Sequence, residues 1–116
     1  MKRADSLKRK KEFRYTYRAG KSQSNRLCVL VFATNRAKEA KIGFSISKKI
    51  GNSVCRNRVK RRMREALTPV IPSICTGYNL IFIAREGIVD APFDEIRSAM
   101  LALLRRAGLV GREAQR

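Results

Sequence analysis

The stretch "SVCRNRVKRRMRE" at 53–65 carries six arginines and lysines in thirteen positions, and its apolar residues limit how those charges can be held. Cys55, Val59, Met63 and then Ala66 or Leu67 recur at helical spacing, so one side of the run can anchor to a core while the other bears cations. A disordered basic tail has no such stripe. Asn52 or Ser53 can cap the helix, and Thr68 stands before Pro69, which disfavours its continuation. Any fold for this chain must therefore offer an apolar surface to the stripe and leave the charged side open.

The flanking segments can supply that surface. "SLKRKKEFRYTYRAG" reads as a helix starting at Ser6 or shortly after, with Phe13 and Tyr17 on one face and Gly20 as its C-terminal glycine. "KSQSN" reads as a polar connector, "RLCVLVFAT" (26–34) as a strand, and "NRAKEA" as a hairpin loop. In "KIGFSISK", Ile42, Phe44 and Ile46 alternate with Lys41, Gly43, Ser45 and Ser47, giving one core face and one small, polar face. "YNLIFIA" (78–84) reads as a buried strand. A last helix follows Pro92, with Asp94 and Glu95 at its positive end; Phe93, Ile96, Met100, Leu103 and Ala107 form its apolar face, and Gly108 ends it. The order is α-β-β-α-β-α, an α+β fold. No repeat or linker divides it, so residues 1–116 read as a single domain with an ordered core over about 6–108 and frayed termini, "LVGREAQR" among them.

Charge decides the class of partner. Apolar residues make up 44% of the chain, enough for a core, yet the formal net charge is +18. Such an excess favours a polyanion, nucleic acid first and an anionic membrane surface second. No apolar run approaches the roughly 18–20 residues of a spanning helix. "MKRADSLKRKKEF" has no apolar stretch resembling a signal, and its first twelve residues offer only Leu7 as a membrane anchor. A cytoplasmic protein without a membrane partner is expected. Cys28, Cys55 and Cys75 form no C-x-x-C pair and histidine is absent, so the cysteines read as small buried hydrophobes rather than metal ligands.

The same inventory argues against self-sufficient catalysis. Without histidine there is no imidazole base and no Ser-His-Asp or Cys-His arrangement. The nine carboxylates show no pattern suited to two metal ions, and Asp94-Glu95 reads as a helix start. The spacing and terminal Lys-Ser/Thr of a phosphate-binding glycine loop are missing. No catalytic or metal-ligating residue is therefore assigned to the protein.

On the basic helix, Arg56, Lys60 and Arg64 form one ridge, Arg58 and Arg62 a second, and Asn57 and Arg61 a third, with Lys48 and Lys49 just ahead. Arginine can grip a phosphate with two parallel N–H bonds, and the amide of Asn57 can both donate and accept at base or sugar edges. A solvated face would intersperse glutamates, and only Glu65 is present. The pattern points to nucleic acid. Engaging six to eight phosphates would cost roughly 10³-fold or more in affinity between 50 and 200 mM salt. Phe13, Tyr15 and Tyr17 alternate with Arg14 and Arg18, a mixture suited to stacking single-stranded bases. Spacing alone favours the simpler reading, that Phe13 and Tyr17 dock the first helix on the sheet.

"SKKIGNSVCRNRVKRRMRE" closely resembles the signature of the bacterial ribonuclease P protein subunit. Its Arg-Asn-Arg core stands here as Arg56-Asn57-Arg58, followed by Lys60 and Arg61 and preceded by Lys48-Lys49 and Gly51-Asn52. "EFRYTYRAG", "KIGFSISKK" and "YNLIFIAREG" resemble that family's first helix, second strand and third strand, so the resemblance covers most of the chain. It implies a ribosomal-protein-like fold with the basic helix in a left-handed crossover, although right-handed crossovers prevail in roughly 98% of cases. It also implies that a large RNA is the catalyst, hydrolysing precursor tRNA with Mg²⁺ bound mainly by the RNA, in a 1:1 assembly with the protein. Lys48, Lys49, Asn52, Arg56, Asn57, Arg58, Lys60, Arg61, Arg62 and Arg64 would then lie against the catalytic RNA. Phe13, Arg14 and Tyr17, with Val29, Val31, Ser45 and Ser47, would line a cleft for the single-stranded 5′ leader. One departure is visible: "CVLVFAT" is aliphatic where relatives can carry an aromatic or basic side chain towards the leader.

A ribosomal protein or RNA chaperone would share the charge and size but would not need a groove of aromatics and small polar residues. A free-standing endonuclease would need the acid–base groups this chain lacks.

Overall fold

In the computed structural model, which describes residues 6–37 and 39–110, the apolar stripe of the basic run lies on one side of a four-stranded sheet. The elements are α1 (Lys10–Ala19), β1 (Lys21–Ser24), β2 (Cys28–Thr34), β3 (Lys41–Ser45), α2 (Ser53–Leu67), β4 (Tyr78–Ala84) and α3 (Phe93–Arg106). Short 3₁₀ turns occupy Lys48–Ile50, Thr68–Ser73 and Glu86–Ile88. The spatial order is β1-β2-β4-β3, antiparallel except for the parallel pair β3/β4, which α2 connects.

Two expectations about the strands change. "KSQS" is a strand, β1, paired with β2 as Lys21–Phe32 through Ser24–Val29. It is an edge strand with little burial, and backbone pairing at an edge requires no apolar pattern to announce it. The segment after β2 is not a hairpin loop, because β4 lies between β2 and β3. β4 is the strand suited to the centre: its Asn79–Phe82 stretch is buried on both faces. Alternation reveals that a strand exists, but not which strand becomes its neighbour.

The core fills one side of the sheet. Cys28, Leu30, Ile42, Leu80, Phe82 and Ala84 meet Val59, Met63, Ala66 and Leu67 of α2 and Ile96, Met100, Leu103 and Leu104 of α3. Phe44 stacks on Phe82 with ring centroids 6.4 Å apart. Each large aliphatic side chain buried there contributes about 1.5–3 kcal/mol. Asn52 is the cap of α2, its Oδ1 accepting from the Cys55 N–H at 2.9 Å. α2 ends at Leu67, ahead of Pro69. Asp94 and Glu95 begin α3 and Arg105 and Arg106 close it, matching the helix dipole at both ends. Gly108 takes φ +75, a left-handed turn that returns the chain to the core. Leu109 and Val110, expected in a frayed tail, are therefore buried; residues 111–116 lie outside the described residues.

α1 occupies the opposite face. The chain ahead of it runs beside β3, where the Leu7 N–H donates to the Ile42 carbonyl at 2.8 Å. Phe13 lies directly over Gly43: a Cβ there would sit 2.5 Å from the ring's Cζ. Thr16, fully buried, donates to the Glu12 carbonyl at 2.7 Å and accepts from Asn79 Nδ2 at 3.2 Å. Asn79 Oδ1 in turn accepts from Asn35 Nδ2 at 2.8 Å. Tyr15 donates its hydroxyl to the Thr34 carbonyl at 2.8 Å. Gly20 ends α1 in extended conformation (φ −83), not the left-handed turn expected of a helix-ending glycine. It is small because a Cβ would collide with the carbonyls of Thr16 and Phe32 as the chain turns into β1.

Candidate nucleic-acid interface

The cations of the 53–65 run lie on the side of α2 away from the core. Val59 and Met63 are buried, whereas Asn57, Arg58, Lys60, Arg61 and Arg64 are exposed. Lys48 and Lys49 are exposed on the preceding 3₁₀ turn, which Ile50 anchors in the core. Arg56 and Arg62 are half-buried, and Arg56 Nε has no hydrogen-bond partner, so these two stems flank the packed stripe. Asn52 spends its oxygen on the cap and retains only its NH₂ for other contacts. Among the described residues, ion pairs join Arg26 to Glu95 (3.5 Å), Lys41 to Glu39 (3.1 Å) and Arg97 to Asp94 (3.3 Å), and none involves α2. The exposed face of α2 is thus a set of unneutralised guanidinium and ammonium groups held at helical spacing.

The second site begins beside α1. Phe13 docks the helix, as spacing alone suggests, but its partner in docking is Thr16. Tyr17 is 45% exposed, with its ring centroid 6.5 Å from that of Phe13. The strand register places Ser45, Ile83, Val29 and Ser24 in one row across the α1 side of the sheet. The adjacent row, Gly43, Ile81, Val31 and Ser22, is the one α1 covers at Gly43 and Val31. Val29, Ile83 and Ser45 are half-buried and accessible. Val31 is only 8% exposed, packed against Gly20, and so lies beneath the helix end rather than on an open cleft wall. Ser47 stands past the end of β3, sharing a hollow with Lys49, Arg26 and Arg85. Arg14 is exposed beside Phe13 and Tyr17.

Three participants escape the sequence reading. Ile83 joins the open row, hidden in the sequence by a uniformly apolar strand. Asn79 and Thr16 form the polar connection that pins α1. A lone asparagine within "YNLIFIA" was the available signal, since a buried amide needs partners.

The cysteines diverge as well. Cys28 is fully buried and burial pushes its thiol up to about 12. Cys55 is partly covered, while Cys75 is exposed, contrary to the expectation of three buried hydrophobes. Cys75 sits in the loop before β4, where sulfur reaches the Gly108 carbonyl at 3.9 Å. Among the described residues no three Cys, Asp or Glu side chains converge on a point that could hold a metal.

No described helix is long and apolar enough to cross a membrane. The geometry defines a class: a small basic α+β domain with an unpaired cationic helix on one side of its sheet and an aromatic-edged groove on the other. A family model described as Ribonuclease P matches residues 1–108. The ribonuclease P protein component of Clostridium botulinum (strain Langeland) is 44% identical over 106 residues, spanning 90% of this chain and 96% of that protein. That of Symbiobacterium thermophilum is 40% identical over 114 residues, 97% and 99% of the two chains. Among solved structures, the Staphylococcus aureus RNase P protein matches with a TM-score of 0.85 at 30% identity, covering 94% of this chain and 100% of that one. The Thermotoga maritima RNase P protein matches with a TM-score of 0.80 at 27% identity, covering 87% and 96%. The chain belongs to the ribonuclease P protein family, the protein components of a ribonucleoprotein endoribonuclease that functions with an RNA subunit in tRNA processing.

Proposed function

We propose that the chain docks on the catalytic RNA through the exposed face of α2 and holds the 5′ leader of precursor tRNA in the groove beside α1. The RNA hydrolyses the phosphodiester with its own Mg²⁺, giving the mature tRNA 5′ end, and the protein contributes binding and no reacting group. One protein per RNA, working in the cytoplasm, completes the reading. The observation that carries it is the separation of the two surfaces by the sheet, which allows one RNA to be held while another strand is gripped.

On α2, Arg58, Arg61 and Arg64 present forked donors to phosphates, Lys48, Lys49 and Lys60 add point charge, and Asn57 can read an edge. On the other side, Phe13 and Tyr17 offer ring faces, Arg14 offers charge for the backbone, and Val29, Ile83 and Ser45 leave room for bases. Contacts to a leader that product lacks would favour precursor over product.

The test combines purified protein with precursor tRNA, with and without the catalytic RNA of the same cell, at low Mg²⁺. Cleavage is expected only when RNA is present, and at lower Mg²⁺ than RNA alone requires. Cleavage by the protein alone sinks the proposal, as does an RNA activity that ignores the protein. Tyr17→Ala is expected to weaken precursor binding by roughly 5–150-fold, the worth of one base stack, while mature tRNA binding is unchanged. Equal loss on both substrates would return Tyr17 to a structural role.

A further inference from the structure

α1 is a ridge with a groove on each flank, and only one of them belongs to the site described above. The other lies between α1 and the loop that follows β2. Its volume of about 1390 Å³ exceeds the roughly 300–1,000 Å³ of small-molecule pockets, so it suits a polymer segment. Lys11, Arg14, Tyr15 and Arg18 line it from α1, and Arg36 from the loop. Among the described residues none of these four cations is paired with a carboxylate. Glu12, the one acidic residue in the lining, accepts from the Arg9 backbone N–H at 3.3 Å and keeps its charge, against the four cations.

The groove is held open by bonds already formed. Tyr15 Oη to the Thr34 carbonyl ties its helix wall to the end of β2, and Asn35 Nδ2 to Asn79 Oδ1 ties its loop wall to the sheet, both at 2.8 Å. Tyr15 is half-buried, leaving part of its ring to the groove between Arg14 and Arg18. A preformed channel with cationic walls and one aromatic surface is what a single-stranded phosphodiester chain engages without reading sequence.

The two flanks are continuous. Lys8 and Arg14 border both this groove and the hollow beside Phe13 and Tyr17. A strand leaving Tyr17 past Arg14 needs to cross only one helix width, about 10–12 Å, to enter the second groove.

We infer that the distal part of a long 5′ leader crosses α1 at Arg14 and lies in the groove of Tyr15, Arg18 and Arg36, its phosphates held by the two arginines. This rests on the leader occupying the Phe13/Tyr17 flank. The consequence is a length-dependent affinity: short leaders fill the first flank, and longer ones gain from the second.

The experiment uses the protein assembled with its catalytic RNA and precursor tRNAs carrying leaders of increasing length. Wild type, the double variant Arg18→Ala/Arg36→Ala and Tyr17→Ala are compared by equilibrium binding. Both arginines are exposed, and thermal unfolding verifies that the double variant folds. For long leaders the double variant is expected to lose roughly 3–10-fold in affinity, and the slope of log K against log salt to shrink by about 1.4, near 0.7 per phosphate contact on a single strand. For the shortest leaders it should equal wild type. The same loss at every leader length assigns the groove to the catalytic RNA and overturns the inference; no loss at any length marks a solvated face and does so too. If Tyr17→Ala leaves the preference for precursor over mature tRNA intact, the leader reading itself fails, whatever the double variant does.

Discussion

The two sides of the sheet are built on different principles. Against α2 and α3 the centre of the contact is apolar, from Leu30, Leu80 and Phe82 to Met63, Met100 and Leu103, all essentially inaccessible to water, with the Asn25 amide donating to the Ala99 carbonyl at its margin. Against α1 the apolar contact is smaller, with Ile81, Val31 and Leu7 buried and one ring over a glycine, and polar bonds supplement it: the buried Thr16–Asn79 pair and a tyrosine hydroxyl on a carbonyl. Broad apolar packing stabilises the molecule and fixes the orientation of a charged helix without using any of its charges. The smaller, partly polar contact holds α1 at a set height and leaves space beside it. The first arrangement suits a surface that must be rigid and cationic, the second a surface that must be hollow.

That contrast can be tested by breaking each side. Phe82→Ala, in the apolar side, should cost about 3–5 kcal/mol and show as a large drop in the denaturant midpoint of the whole domain. Asn79→Ala, on the α1 side, leaves Thr16 and Asn35 with one bond fewer and should cost about 1–3 kcal/mol. Hydrogen exchange should localise that loss to α1, with α3 amides unchanged. If α3 exchange rises equally, the two sides are one cooperative unit and the contrast is wrong. Arg58→Ala and Arg61→Ala should shift stability by under about 0.5 kcal/mol. Each should nevertheless weaken catalytic-RNA binding and reduce its salt slope by about 1. Loss of stability without a changed slope would make these arginines structural.

The smallest effect concerns the thiols. An alkylating reagent at pH 8 should modify Cys75 first, Cys55 more slowly, and Cys28 only as the chain unfolds. Cys28 also sets a sign in alkali. Its unfolded thiol ionises near 9.0 and its folded thiol at about 12, so its contribution is complete below 9.0 and is lost as pH rises through that window. Cys28→Ala should flatten the alkaline fall in stability, read from midpoints at pH 8 and 10.

Much of the charged side was legible because its signal is local. A stripe at Cys55, Val59, Met63 and Leu67 states which side of α2 goes inward, and Arg58, Lys60, Arg61 and Arg64 are outward by elimination, while the half-buried Arg56 and Arg62 flank the stripe. The helix boundaries followed from Asn52 and Pro69 for equally local reasons. The hollow side was less legible. Tyr17 and Phe13 have the same spacing from the standpoint of periodicity, yet one is an open ring and the other a docked one. Val31 reads like Val29, and only the chain turn at Gly20 buries it. The edge strand β1 has no apolar pattern because its pairing is made entirely by backbone groups.

Sequence by itself determined the helices, three of the four strands, the net charge of +18 and, through the Arg56-Asn57-Arg58 signature and its neighbours, the family. These depend on periodicity and residue type, which neighbouring positions carry. Tertiary structure decided the order β1-β2-β4-β3, and with it which residues share a row. It also decided which aromatic beside α1 stays open, and that the helix has a second cationic flank. Those properties depend on contacts between residues far apart in the chain, such as Thr16 with Asn79, and no local pattern encodes them.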